Sequence, residues 1–142
     1  MMHRESEKGE RRAHILVEKA GEWTCAAVSS MKKIEAVIRP FKLDEIKEAL
    51  VALGVGGMTV TGVRGVGHQP THSFRYGGAE CTIDLLPRTK VEIVVADNLV
   101  EPVVATISKV AWTGSPGDGK VLVLPLMMAT RIRTGEVGET AL

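Results

Sequence analysis

At 142 residues the chain is long enough for one compact domain and too short for two ordinary ones. Its 18 basic residues nearly balance its 17 acidic ones, which argues against a general nucleic-acid binder. No apolar run approaches the ~20 residues that span a bilayer, so membrane insertion is not expected. The two cysteines, Cys25 and Cys81, lie far apart with no metal-ligand spacing, and a reducing cytoplasm fits better than a disulfide framework.

Taken in chain order, the first segment is densely charged: Met1 to Glu22 carries five basic and five acidic residues. A transit peptide would be poor in acids, and a secretory signal would have a longer apolar centre. Ile15-Leu-Val17 could seed a short helix, but the composition favours a disordered tail. Met31-Lys-Lys-Ile34 reads like a fresh chain start. Residues 1–30 are therefore taken as a charged extension, either natural or the product of a misassigned start codon, and residues 31–142 as the folded domain.

Within that domain, Ile34, Ala36 and Ile38 alternate with polar neighbours from Lys33 to Arg39, the pattern of a half-buried strand that Pro40 ends. Leu43, Ile46, Ala49, Leu50 and Leu53 follow helical spacing, with Asp44 and Glu45 in the first turn and Gly54 as a stop. Met58 to Val66 reads as a second strand, and Val91, Ile93 and Val95 mark a third. Asn98-x-x-Glu101 has the form of a capping box for a second helix with Leu99, Val103, Ile107 and Val110 on its buried stripe; Gly114 closes it. Lys120 to Leu126 is a fourth strand, and Thr130 to Arg133 a short extended segment. The order strand-helix-strand, twice, predicts an α+β ferredoxin-like split βαβ sandwich, βαββαβ, with both helices on one sheet face. Apolar residues on the other face, such as Val37 and Val94, make oligomerisation a natural solution. Between Gly67 and Arg88 lie about twenty residues without a clear period, a length that is usually functional or disordered, and the expectation is a mobile hairpin tip that contacts a ligand or partner.

Thr113-Gly-Ser-Pro-Gly-Asp-Gly-Lys120 places three glycines, an aspartate and a lysine just before an apolar run. Glycines let backbone N–H groups approach a ligand closely, and a lysine adds a point charge suited to phosphate. Val121 after the lysine excludes the GxxxxGK[ST] phosphate loop. On its own such a turn is more often plain turn chemistry. Arg131 and Arg133, followed by Thr134-Gly135, supply two further cations, suited either to a polyanion or to a salt bridge with Glu136 or Glu139.

These pieces resemble the PII nitrogen-regulatory signal-transduction proteins. The resemblance runs from Met31 to Leu142 and rests on Met31-Lys-Lys-Ile-Glu-Ala-Val-Ile-Arg-Pro-Phe-Lys-Leu43, on Thr113 to Lys120, and on Arg131-Ile-Arg-Thr-Gly-Glu136, in that order and spacing. It implies a cytoplasmic homotrimer that binds ATP or ADP in clefts between subunits and 2-oxoglutarate with Mg²⁺ beside the ATP. The state of the ligands would shape the 67–88 loop, which would engage targets such as an ammonium transporter or nitrogen-assimilation enzymes. The implied nucleotide contacts are Val37, Thr59, Gly65, Gly67, His68, Glu92, Val94, Gly117, Asp118, Gly119 and Lys120, with Arg131 and Arg133 reaching in from a neighbouring subunit. Those for 2-oxoglutarate are Arg39, Gly67, Gln69 and Arg88, and Gln69 is the implied Mg²⁺ contact.

The loop departs from the family pattern. Tyr76-Gly77-Gly78-Ala79-Glu80-Cys81 stands where the resemblance implies a sequence ending in a uridylylated tyrosine, the position Cys81 occupies; Ala79 takes the place of a serine phosphorylated in some members. Neither modification is expected. His68 replaces a phosphate-binding arginine and supplies less charge at neutral pH. Arg88 replaces a lysine that pairs with 2-oxoglutarate, and Pro70 removes a backbone N–H beside Gln69. The alternative reading is thus a PII-like nucleotide regulator without 2-oxoglutarate coupling or with another target. An enzyme is not expected: no nucleophile-base pair or carboxylate cluster for two metals is visible, which leaves at most a low-turnover ATPase. The strands also lack the aromatic residues an RNA-binding module would stack on bases.

Overall fold

The computed structural model describes residues 15–19, 22–26, 30–67, 72–83 and 85–142. Eight strands and two helices follow in the order β1 (Ile15–Lys19), β2 (Glu22–Ala26), β3 (Met31–Ile38), α1 (Leu43–Ala52), β4 (Thr59–Gly65), β5 (His72–Tyr76), β6 (Ala79–Ile83), β7 (Leu86–Ala96), α2 (Asp97–Ala111) and β8 (Gly119–Pro125). Strands β4-β7-β3-β8 form one antiparallel sheet in that spatial order. With α1 and α2 linking its strands, this is the ferredoxin-like topology expected from the sequence.

The alternation in β3 and β7 divides the sheet into two faces. Ile34, Ala36, Ile38, Val91, Ile93 and Val95 point to one, where they pack with Ile46 and Leu50 of α1 and Val103, Ile107 and Ala111 of α2. The helical residues recur at i, i+4, so each helix lays one stripe on the sheet. Each large side chain buried there stabilises the fold by about 1.5–3 kcal/mol relative to exposure. The opposite face carries no helix. By register it presents Lys33, Glu35 and Val37 from β3, Lys90, Glu92 and Val94 from β7, and Lys120, Leu122 and Leu124 from β8.

Two local expectations within the domain are corrected. Asn98 is not the cap of α2: the helix leaves β7 directly, with Ala96 in extended conformation at the cap position and no side chain closing it. The Asp97 N–H is satisfied by the Ser30 carbonyl at 2.7 Å, and the Asp97 carboxylate pairs with Lys32. Pro102 consequently falls inside the helix, where it lacks the N–H that would bond the Asn98 carbonyl. Second, Thr130 to Arg133 is not an extended segment. Thr130 bridges Val137, and the chain between them turns back, closed by Arg131 N–H to Glu136 O at 2.9 Å and Gly135 N–H to Arg131 O at 2.7 Å. The hairpin expected in the stretch without a clear period is β5–β6, joined by the two-residue turn Gly77-Gly78 at φ 58° and 85°. Positive φ at both central residues is the turn that matches strand twist, and glycine adopts it without strain. In the charged extension, where a disordered tail or a short helix was expected, β1 and β2 pair as an antiparallel hairpin.

Candidate functional site

Strand β8 begins at a glycine that no other residue could replace in this geometry. Gly119 has φ 106°, and a Cβ there would lie 1.8 Å from the Val37 carbonyl oxygen. This seam between β3 and β8 fixes the preceding turn against the sheet. Asp118 holds the turn's shape. Its Oδ2 accepts the N–H groups of Thr113 at 2.7 Å and Gly114 at 3.1 Å. Its Oδ1 accepts the Thr113 hydroxyl and, at 3.1 Å, Arg39 Nε. The Thr113 hydroxyl and N–H, with Arg39 and Gly114 behind them, pull the Asp118 carboxyl down from 3.8 to about 2 against the opposing effect of burial. Arg39 also donates to the Pro116 carbonyl at 2.7 Å. One guanidinium thus spans both sides of the turn and ties it to the end of β3.

The register gathers the expected site residues in two groups. Ile38 stands opposite Thr89 on one side and Gly119 on the other, and Gly65 stands opposite Leu86. Gly65, Arg39, Arg88 and the Gly117–Lys120 turn therefore share one end of the sheet, the end from which the segment holding the β5–β6 hairpin leaves and returns. Gly67 follows β4 by two residues at this end. Val37 is opposite both Lys90 and Lys120, on the helix-free face. Thr59, opposite Glu92, and Val94, opposite Lys33, lie further along that face. Because Val94 is four residues beyond Lys90, it is displaced from Val37 by about 13 Å along the strands. Within one chain these two valines do not flank a common planar group. His68 and Gln69 lie outside the described residues.

Glu92 belongs to an ion-pair cluster at the centre of the helix-free face. Lys33 Nζ lies 2.8 Å from Glu35 and 2.6 Å from Glu92, and Lys90 lies 3.4 Å from Glu92. The hydrogen bonds to Glu35 and then Glu92 push Lys33 up to about 12, and the hydrogen bond from Lys33 holds Glu92 below its ordinary value. Arg131 donates to Glu136 at 2.7 Å and to the Leu142 carbonyl at 2.7 Å, the salt-bridge alternative read from the sequence. Arg133 is exposed on the same turn. Among the described residues no group of three His, Cys, Asp or Glu side chains could hold a metal ion. No described helix is long and apolar enough to cross a membrane.

Thr113 and Pro116 as supports of the turn, and Lys33, Glu35 and Lys90 as partners of Glu92, were not legible in the sequence. Parity along β3 and β7 carries the second set, since residues two apart share a face. The Thr113–Asp118 bonds follow only from the path of the turn.

An antiparallel ferredoxin-like sandwich with a pinned glycine turn beside a hairpin-bearing connection is the architecture these elements define. A family model for nitrogen regulatory protein P-II matches residues 31–136. Nitrogen regulatory protein P-II of Cereibacter sphaeroides is 53% identical over 111 residues, covering 78% of this chain and 99% of that protein. Nitrogen regulatory protein P-II 1 of Escherichia coli K12 is 51% identical over 112 residues, covering 79% and 100%. Arabidopsis thaliana PII bound to citrate superposes with a TM-score of 0.66 at 38% identity, covering 80% of this chain and 94% of that one. The B. subtilis GlnK-ATP complex gives 0.64 at 36% identity, covering 79% and 97%. The chain belongs to the nitrogen regulatory protein P-II family.

Proposed function

We propose that this chain is a cytoplasmic allosteric regulator of nitrogen assimilation that binds ATP or ADP in clefts between the subunits of a homotrimer. It signals through the 67–88 segment to target proteins such as an ammonium transporter or a nitrogen-assimilation enzyme. The observation that carries this reading is the pinned turn: Arg39 and Asp118 hold Gly117 to Lys120 in one shape, at the sheet end that bears the β5–β6 hairpin. Backbone N–H groups and Lys120 at such a turn suit phosphate oxygens. The ATP bound by the similar B. subtilis protein supports the ligand class. The separation of Val37 from Val94 supports a cleft between copies, because one base contacts both only if they come from different subunits. Ligands that favour one arrangement of the hairpin would shift its population and thereby its partners.

For Mg²⁺ with 2-oxoglutarate, Gln69 is the one implied protein contact, and the described residues add no carboxylate cluster. That donor set suits Mg²⁺, which keeps waters and takes phosphate oxygens rather than an all-protein cage. A second reading, nucleotide sensing without 2-oxoglutarate coupling, is favoured by Arg39. Its guanidinium is committed to Asp118 and the Pro116 carbonyl, so a dicarboxylate would have to compete for it.

Calorimetry separates the readings. ATP should bind, and Lys120→Ala should weaken it about tenfold or more by removing a charge-assisted phosphate contact. 2-Oxoglutarate is then titrated with ATP and Mg²⁺ present. Heat from that step supports the full reading, and its absence supports the second. No nucleotide binding at all would overturn both, and turnover at several per second would make the chain an enzyme.

A further inference from the structure

We propose that the β1–β2 hairpin folds back onto the exposed methionines Met127 and Met128 of its own chain, capping the end of the sheet opposite the β5–β6 hairpin. The hairpin precedes the residues the family model matches, so the family fold assigns it no place. It forms a two-stranded sheet of its own, apart from β4-β7-β3-β8. A lone two-stranded hairpin is marginally stable in water and needs a further strand or an apolar surface to pack on. Ile15 stands opposite Ala26, Leu16 opposite Cys25 and Val17 opposite Thr24, whereas Glu18, Lys19 and Glu22 gather toward the tip. Apolar residues thus concentrate at the root, the part nearest the domain. Leu16, Trp23 and Cys25 share one face by alternation.

The path of the chain limits which surface the root can reach. The Ser30 carbonyl accepts the Asp97 N–H at 2.7 Å, which fixes the point of entry into β3. Ala26 lies four residues before Ser30, a reach of about 14 Å at full extension. Phe41, Val66, Leu85 and Trp112 are exposed apolar residues at the far end of the sheet, roughly 25 Å away along β3, and the root does not reach them. Met127 and Met128 lie at the near end. Lys32 stands opposite Pro125, and the Leu126 N–H donates to the Met31 carbonyl at 3.3 Å. One further step of that register sets Met127 across from Ser30, at the spacing of neighbouring strands, about 5 Å. The two methionines are 57% and 51% exposed.

Methionine suits such a surface. Its unbranched thioether adapts to an irregular partner and favours aromatic neighbours, and β2 carries a tryptophan at position 23. The short connection makes the encounter intramolecular, so the hairpin meets its own methionine pair at a far higher effective concentration than that of another molecule. Docking at this end leaves the Gly117–Lys120 turn open. The contact therefore stands apart from nucleotide binding and does not rest on the function proposed above.

The test uses the full chain carrying Trp112→Phe, which leaves Trp23 as the single tryptophan. Trp23 emission and its quenching by acrylamide are measured across a wide range of chain concentration, with amide exchange followed in β1, β2 and β3. The parent should show a shielded, blue-shifted Trp23 at every concentration. Met127→Ser combined with Met128→Ser should red-shift that emission, raise the quenching and speed exchange in β1 and β2 about tenfold, because the docked state loses the burial of two apolar side chains. Exchange in β3 should stay as in the parent. Should the double variant fail to fold, Leu16→Ser reads the same contact from the hairpin side and should give the same red shift. A parent Trp23 as open to acrylamide as in urea would overturn the contact, and so would emission that neither set of variants moves. Shielding that appears only as concentration rises would assign the hairpin to a second copy and overturn the contact within one chain.

Discussion

Asp118 accepts from the Thr113 N–H and hydroxyl, the Gly114 N–H and Arg39. Four donors are about the full capacity of a carboxylate. The residue expected to touch a nucleotide is thus engaged in shaping the turn. Its role has a measurable pH signature. A carboxyl lowered from 3.8 to about 2 on folding contributes stability that is fully present above the higher value and is lost as pH falls toward the lower one. Denaturant midpoints should fall between about pH 4 and pH 2, and Asp118→Asn should lower the midpoint at neutral pH while flattening that acid limb. An unchanged acid limb would mean that other carboxylates govern it. Next to it, Gly119→Ala should cost ~2 kcal/mol or more, because backbone overlap and a positive φ both oppose the methyl; urea unfolding measures it. At this scale the sequence singled out Gly117 to Lys120 as a glycine-lysine turn. It did not reveal their partners, because Thr113 and Asp118 meet only through the path the glycines allow.

The elements were legible where burial imposes a period. Ile34, Ala36 and Ile38 had to be a strand and Leu99, Val103, Ile107 and Val110 a helical stripe, of which Val103 and Ile107 are fully buried and Leu99 and Val110 pack beside them. The misreadings came where local chemistry was replaced by tertiary support. Asn98 has the residues of a capping box, but the strand-to-helix junction at Ala96 satisfies the Asp97 N–H from Ser30 instead. The β5–β6 hairpin was only partly legible: the Gly77-Gly78 pair is a turn signal, while the flanks Phe74-Arg-Tyr76 and Ala79-Glu-Cys-Thr-Ile83 are too short for their alternation to stand out. Gly77→Val places a β-branched residue at φ 58° and should destabilise the hairpin by about 1–2 kcal/mol. Amide exchange across residues 72–83 should speed by about tenfold while that of the β3 amides is unchanged. Equal exchange in both proteins would show that another contact holds the hairpin.

For the whole molecule, the helix-free sheet face is the largest departure from a self-sufficient fold. Leu122 and Leu124 are 45% and 38% exposed there, beside the Lys33–Glu35–Glu92–Lys90 cluster. Alternation predicted such a face, and a single sequence could not show how its charges pair. Leu122 stands opposite Glu35, so Leu122→Glu sets a like charge across the strand pair. It should raise the concentration needed for association about tenfold in sedimentation, with little effect on the helix-side core. Unaltered association would place the subunit contact elsewhere.

The fully engaged carboxylate of Asp118 has a bearing on discrimination between ligands. A turn whose only acidic group has no lone pair left meets an anion through backbone N–H groups and the Lys120 ammonium, and leaves backbone carbonyls and hydroxyls as its remaining acceptors. Such a surface distinguishes anions by charge and reach, so any base selectivity in the proposed cleft would fall to acceptors other than the Asp118 carboxylate. Competition among ATP, GTP and inorganic triphosphate for the Lys120→Ala and parent chains would show the two kinds of recognition separating.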